Sequence, residues 1–230
     1  MRAGDAQRVT TEADNSSHRR GVLLRFVVAG IVLALWFWTQ SLIGARTVPT
    51  SGIGDALHNL TAGLNSYFAQ NIRAADALLI VSSALIDAMG LFLLGRWLFG
   101  GSVRPFLGLF LLMTLRQLMQ AICALPPPPH MIWHYPGFPS LLVTYHVAND
   151  FFFSGHTAIA VFGAIEVSRL RRNWLTVSAV LLVIFEVATV LVLRAHYTMD
   201  VFTGIVAALW IANLSGRISP HLDRLISGGS

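Results

Sequence analysis

The sequence predicts an all-α, polytopic membrane protein with six transmembrane helices. Of 230 residues, 55% are hydrophobic and only 12% charged, about half the charge density of a soluble domain. Mean hydropathy is +0.64. The apolar residues also come in blocks, several as long as the roughly 17–25 residues a helix needs to cross a bilayer. A soluble enzyme, a disordered tail and a nucleic-acid module fit this pattern poorly. The formal charge of +5 is uninformative until the basic residues are located.

Residues 1–20 are polar and read as a disordered N-terminus, with no convincing cleavable signal, because the apolar run that follows is long enough to span. The six spans are expected near 22–44, 77–98, 104–125, 152–169, 174–193 and 200–218, within a single domain over 21–220, and 221–230 form a short tail. Between the first two spans, Leu57, Leu60, Leu64 and Phe68 recur at a spacing that suits an amphipathic helix on the membrane surface. The longest loop, 126–150, is rich in proline and aromatic residues. Cys123 excludes an internal disulfide and is expected as a small buried hydrophobe.

All 16 basic residues are arginine. An even number of spans puts both termini on one side. That side collects Arg2, Arg8, Arg19, Arg20, Arg25, Arg96, Arg104, Arg169, Arg171, Arg172, Arg217 and Arg224, while the other has Arg46, Arg73 and Arg194. Such an imbalance makes the arginine-rich side cytoplasmic. The histidines divide the other way: His58, His130, His134, His146, His156 and His196 fall on the opposite face, with Asp55, Asp76, Asp150 and Asp200. Chemistry is therefore expected on the periplasmic, lumenal or exoplasmic face.

Two segments on that face suit transfer at phosphorus. Asn149-Asp-Phe-Phe-Phe-Ser-Gly-His-Thr157 opens the fourth span, and Arg194-Ala-His-Tyr-Thr-Met-Asp200 joins the fifth to the sixth. Backbone N–H groups of Ser154 and Gly155 at a helix N-terminus would hold phosphate oxygens. A helical His196-x-x-x-Asp200 spacing would put both side chains on one face, so that the carboxylate fixes the imidazole tautomer. His196 would attack phosphorus, or activate a hydroxyl that does, and His156 would protonate the leaving oxygen.

These motifs resemble the lipid phosphatase/phosphotransferase superfamily of the type 2 phosphatidic acid phosphatases. The strings Phe153-Ser-Gly-His-Thr157 and His196-Tyr-Thr-Met-Asp-Val201 are similar to a narrower branch, containing sphingomyelin synthases and phosphatidylcholine:diacylglycerol cholinephosphotransferases. Arg116 followed by Ala124-Leu-Pro-Pro-Pro128 resembles that branch's Arg and Leu-Pro-x-Pro segment, and Ile86-Asp-Ala-Met-Gly90 its second-span acidic motif. The resemblance implies a His156–His196–Asp200 catalytic triad. With it goes movement of phosphocholine or phosphoethanolamine from a glycerophospholipid to diacylglycerol or ceramide, through a phosphohistidine or by direct transfer. It implies no cofactor or metal; membrane lipids are the expected partners, and a homo-oligomer stays open. The ordinary phosphatases carry a Lys-x6-Arg-Pro element and an Arg six residues before the second His. This chain has no Lys, and Val190 holds that position. Fewer cations suit a phosphodiester with a compensating amine better than a dianionic phosphomonoester. A lipid phosphatase or phospholipase C-like hydrolase, and a non-catalytic scaffold or lipid transporter, are the alternatives.

Expected substrate-binding residues are Ser154, Gly155, Arg116, Asp87, Asp150 and Tyr197. Asp87 and Arg116 fall at equal depth, about 15 Å below the same surface, so an intramembrane ion pair is expected, either purely structural or lining the site. Glu166 precedes Arg169 by three residues and should pair with it. A metal site from His130, His134, His146 and His156 is disfavoured. Trp133, Tyr135, Phe138, Tyr145, Phe151, Phe152 and Tyr197 read mainly as interfacial anchors, one or two of which could hold a quaternary ammonium.

Overall fold

The computed structural model describes residues 52–145 and 151–227, together with Val27, Ile31, Ala34, Leu35, Phe37, Trp38 and Ser41. The chain divides into two units, Met1–Thr50 and Ser51–Ser230. In the first unit, the described residues of the expected 22–44 span are helical. The expected disordered 1–20 segment, and with it His146 and Asp150, lies outside the described residues.

The second unit is all-α among its described residues, with α1 (Ala56–Leu60), α2 (Ala62–Gln70), α3 (Ile72–Gly100), α4 (Arg104–Ile122), α5 (Gly155–Ser168), α6 (Asn173–Val192) and α7 (Thr198–Ser227). Four of these, α3, α4, α6 and α7, are long and apolar enough to cross a membrane. The fourth expected span, 152–169, differs from its reading. α5 has 14 residues, about 21 Å at 1.5 Å per residue, short of a hydrocarbon core of about 30 Å. It starts only after the Ser154 cap and ends where Arg171 takes a left-handed φ of 54°. α7 runs past the expected 218 boundary to Ser227, taking Pro220 inside the helix and part of the expected tail with it.

α5 is the hub, packed against α3, α4, α6 and α7. Its Ala158, Ala160 and Phe162 are fully buried, and Phe162 joins Leu93, Leu112 and Ile211 in one apolar cluster. Small residues allow these close approaches: a Cβ at Gly108 would meet the Phe162 ring at 2.0 Å, and one at Gly163 would meet Met89 Sδ at 2.1 Å. The outer surfaces carry Phe99, Phe110, Leu181, Ile184 and Trp210, all exposed. Apolar side chains facing outward on long apolar helices belong to a protein solvated by lipid.

The segment expected as a surface helix is broken into α1 and α2, and its polar side faces the protein. His58 and Asn65 are buried while Leu60 and Leu64 are exposed. The reason is hydrogen bonding. Asn65 donates to the Val192 carbonyl at 2.9 Å, one of the C-terminal carbonyls that a helix cannot satisfy internally. Cys123, expected to be buried, is an exposed C-cap of α4.

Candidate active site

Both chemical motifs converge at one end of α5. Ser154 caps α5: its hydroxyl accepts from Thr157 N–H at 3.4 Å and donates to Thr157 Oγ1 at 3.0 Å. Its N–H donates to the Asp200 carbonyl at 3.1 Å. This bond ties the two motifs together. It also corrects the expectation that Ser154 N–H would hold phosphate, since that donor is already committed. Gly204 permits the approach, because a Cβ there would lie 2.8 Å from the Ser154 carbonyl oxygen.

The His196–Asp200 relation also differs from a shared helical face. His196 precedes α7, which begins at Thr198. Asp200 is its third residue, and Oδ2 reaches back to accept the Tyr197 N–H at 2.9 Å, the reciprocal contact of a capping box. Its distance to His196 Nδ1 is 3.8 Å, beyond hydrogen-bond range. Instead Nδ1 lies 2.8 Å from the Phe151 carbonyl oxygen. A carbonyl can only accept, so Nδ1 carries the proton and Nε2 the free lone pair. The carbonyl sets the tautomer, and Asp200, fully buried, contributes negative charge beside the ring.

His156, on the first turn of α5, is buried, and its Nε2 has no protein hydrogen-bond partner. Its ring meets Trp133 edge-on at 5.2 Å. A cavity is lined by His156, His196, Gly155, Arg116, Trp133 and Phe151, closed by Ile86, Leu142 and Val143 among others. Arg116 Nε donates to the Phe153 carbonyl at 3.0 Å, and a Cβ on Gly155 would stand 3.0 Å from that same nitrogen. Glycine thus lets the guanidinium lie against the α5 N-terminus.

Of the expected site residues, His156, His196, Gly155 and Arg116 share this cavity, whereas Ser154, Asp87, Tyr197 and Asp200 support it from outside. The expected Asp87–Arg116 pair does not form. Asp87 accepts from Ser140 Oγ at 2.9 Å and from the Leu141 and Leu142 N–H groups, both at 3.0 Å. Its carboxylate is satisfied by loop donors, so it pins the loop that supplies one cavity wall. Tyr197 stacks on His58 at 5.7 Å. Glu166, near the other end of α5, pairs with Arg169 as expected and more closely with Arg104, at 2.7 Å. His134 pairs with Asp76 at 2.6 Å.

Sequence reasoning misses Asp55 and His58 as site residues. His58 Nε2 donates to the His196 carbonyl at 2.9 Å. Asp55 accepts from Thr198 N–H at 2.6 Å and Thr198 Oγ1 at 2.7 Å, while capping α1. Burial by itself would push the Asp55 carboxyl up, but the Thr198 hydrogen bonds and the nearby His58 hold it below its ordinary value. Arg194, at φ 54°, donates to the Pro129 and His58 carbonyls. Together these contacts clamp the turn that presents His196. Their one sequence signal is their place on the histidine-rich face.

Comparison with known proteins finds similarity at the level of family. The AtPDCT1/2 family model matches residues 55–217. Over 187 residues the chain is 24% identical to phosphatidylcholine:diacylglycerol cholinephosphotransferase 1 of Arabidopsis thaliana, covering 81% of this chain and 60% of that one. Over 121 residues it is 24% identical to cholinephosphotransferase 2 of the same plant, covering 53% and 40%. The chain therefore spans at most about 60% of the length of these curated relatives. Among solved structures, the crystal structure of Aquifex aeolicus LpxE superposes with a TM-score of 0.49 and 18% identity, over 62% of this chain and 85% of that one.

Proposed function

The chain belongs to the AtPDCT1/2 family, and from that premise we propose that it is a membrane-embedded phosphotransferase moving a lipid headgroup, phosphocholine first, from a glycerophospholipid to diacylglycerol. The observation that carries this reading is the pair of histidine nitrogens on one cavity. His196 Nε2 has a free lone pair because Nδ1 donates to the Phe151 carbonyl, and His156 Nε2 has no protein hydrogen-bond partner. Diacylglycerol is named in the curated relatives; ceramide is the competing acceptor that only assay separates.

In the proposed reaction, His196 Nε2 attacks the donor phosphorus and the bond from phosphorus to the diacylglycerol oxygen breaks. Protonated His156 gives its proton to that oxygen as it leaves. The phosphorylated imidazole keeps its Nδ1 proton and is cationic, and the Asp200 carboxylate beside it stabilises that charge. An acceptor hydroxyl then attacks phosphorus, passing its proton to neutral His156, and His196 departs with its lone pair restored. Arg116 lies where it can neutralise the phosphodiester anion. Trp133 and Phe151 offer aromatic faces suited to a quaternary ammonium. A single arginine among the described lining residues suits a monoanionic phosphodiester better than a dianionic phosphomonoester.

We place the site on the exoplasmic side, with six spans and cytoplasmic termini, from the arginine distribution. The test is phosphatidylcholine labelled in its phosphocholine, supplied in nanodiscs with diacylglycerol, ceramide or no acceptor. Label moving to diacylglycerol, and acid-labile label on the wild-type protein but not on His196→Ala, supports the reading. Free phosphocholine released at the same rate without acceptor makes it a hydrolase. Full turnover in both His196→Ala and His156→Ala makes the residues structural.

A further inference from the structure

A second ligand site lies at the far end of the bundle. α5 runs from Gly155 on the histidine cavity to its last turn, about 21 Å away. There a groove of about 540 Å³ is lined by Arg104, Arg169 and Arg217, over an apolar floor that includes Ile165, Leu209 and Ala212. A second furrow of about 140 Å³ is formed by Trp210, Asn213, Leu214 and Arg217. Asn213 and Arg217 belong to both.

The charges do not balance. Glu166 takes Arg104 at 2.7 Å and reaches Arg169 Nε at 3.5 Å, so its one carboxylate is shared between two of the three guanidiniums that line the groove. Arg217 makes no hydrogen bond or ion pair among the described residues, and it is exposed. A cation between two apolar furrows, with a second guanidinium nearby, matches a phosphodiester carrying two acyl chains.

We propose that this end of the bundle binds an anionic glycerophospholipid. Its phosphate sits between Arg169 and Arg217, with one chain along Ile165 and Leu209 and the other along Trp210 and Leu214. The site is separate from the histidine cavity and does not depend on the proposed reaction.

The full chain in detergent is titrated with phosphatidylglycerol, phosphatidylcholine or inorganic phosphate while its thermal unfolding is followed. Phosphatidylglycerol at about ten times its Kd should raise Tm by about 3–5 °C, inorganic phosphate should have little effect, and any shift from phosphatidylcholine, taken up in the histidine cavity, should be the same in Arg217→Gln as in the wild type. Arg217→Gln should lose that shift, whereas Arg172→Gln, which removes an exposed arginine outside the groove, should keep it. Arg217 bonds to no described protein group, so its replacement should leave Tm without lipid unchanged. Native mass spectrometry should find phosphatidylglycerol retained on the wild type and on Arg172→Gln, but not on Arg217→Gln. An equal shift from inorganic phosphate, or an undiminished phosphatidylglycerol shift in Arg217→Gln, overturns the proposal.

Discussion

Replacing Asp200 by Asn separates two roles that a carboxylate beside a histidine can play. The imidazole Nδ1 donates to the Phe151 carbonyl at 2.8 Å, and the Asp200 carboxylate is 3.8 Å away. Asn therefore leaves the tautomer fixed, keeps an oxygen for the Tyr197 N–H and removes the charge, its NH2 taking the place of the unpartnered Oδ1. A unit charge 3.8 Å from the ring, at an effective dielectric near 20 and with the cation spread over the imidazole, contributes about 3–4 kcal/mol. The step that makes the ring cationic should then slow by about 10²–10³-fold. Where a carboxylate hydrogen-bonds the imidazole directly and sets its tautomer, the same change costs about 10⁴. The assay is single-turnover transfer of labelled phosphocholine in nanodiscs, well below the Tm of both proteins. A rate within threefold of wild type refutes the electrostatic role. A loss of 10⁴ or more with Tm unchanged refutes the assignment of tautomer control to Phe151.

Asp87→Asn should lower stability by about 1–3 kcal/mol, because one of the two carboxylate oxygens becomes an amide NH2 that faces a loop N–H donor it can no longer accept from; faster proteolysis between 138 and 144 would check it. Asp55 gives a pH signature. Its pKa is lowered on folding from an ordinary 3.8, so its stabilisation is present above that value and fades as pH falls through the lower, folded one. Asp55→Asn should accordingly be less stable than wild type at neutral pH, with the gap closing below about pH 4, followed by thermal unfolding. Cys123, exposed at the end of α4 nearest the histidine motifs, should react with a membrane-impermeant maleimide from outside intact cells; labelling only after permeabilisation reverses the orientation.

The sequence by itself determined the solvent of this protein and the end of the bundle where its two histidine motifs meet. Apolar blocks set four long helices, because a backbone in lipid must satisfy its own hydrogen bonds. Two short motifs, one entering the bundle where the other leaves, had to lie at the same end, so chain order alone pairs His156 with His196. Local spacing failed where a residue's partner comes from a distant segment. His196-x-x-x-Asp200 reads as one helical face, yet α7 begins after His196, and the group that orients its ring is a main-chain carbonyl 45 residues earlier. Main-chain carbonyls leave no trace in residue identity. Depth alone paired Asp87 with Arg116, but the tertiary structure gave the carboxylate three donors from a loop more than 50 residues on. The same holds for Asp55 and His58, polar residues on a stretch that looked like a surface helix. They turned inward because the His196 turn leaves backbone groups that only they can satisfy. Composition and periodicity fix which residues meet lipid. Which buried polar group meets which depends on chain crossings, and those exist only once the helices have packed.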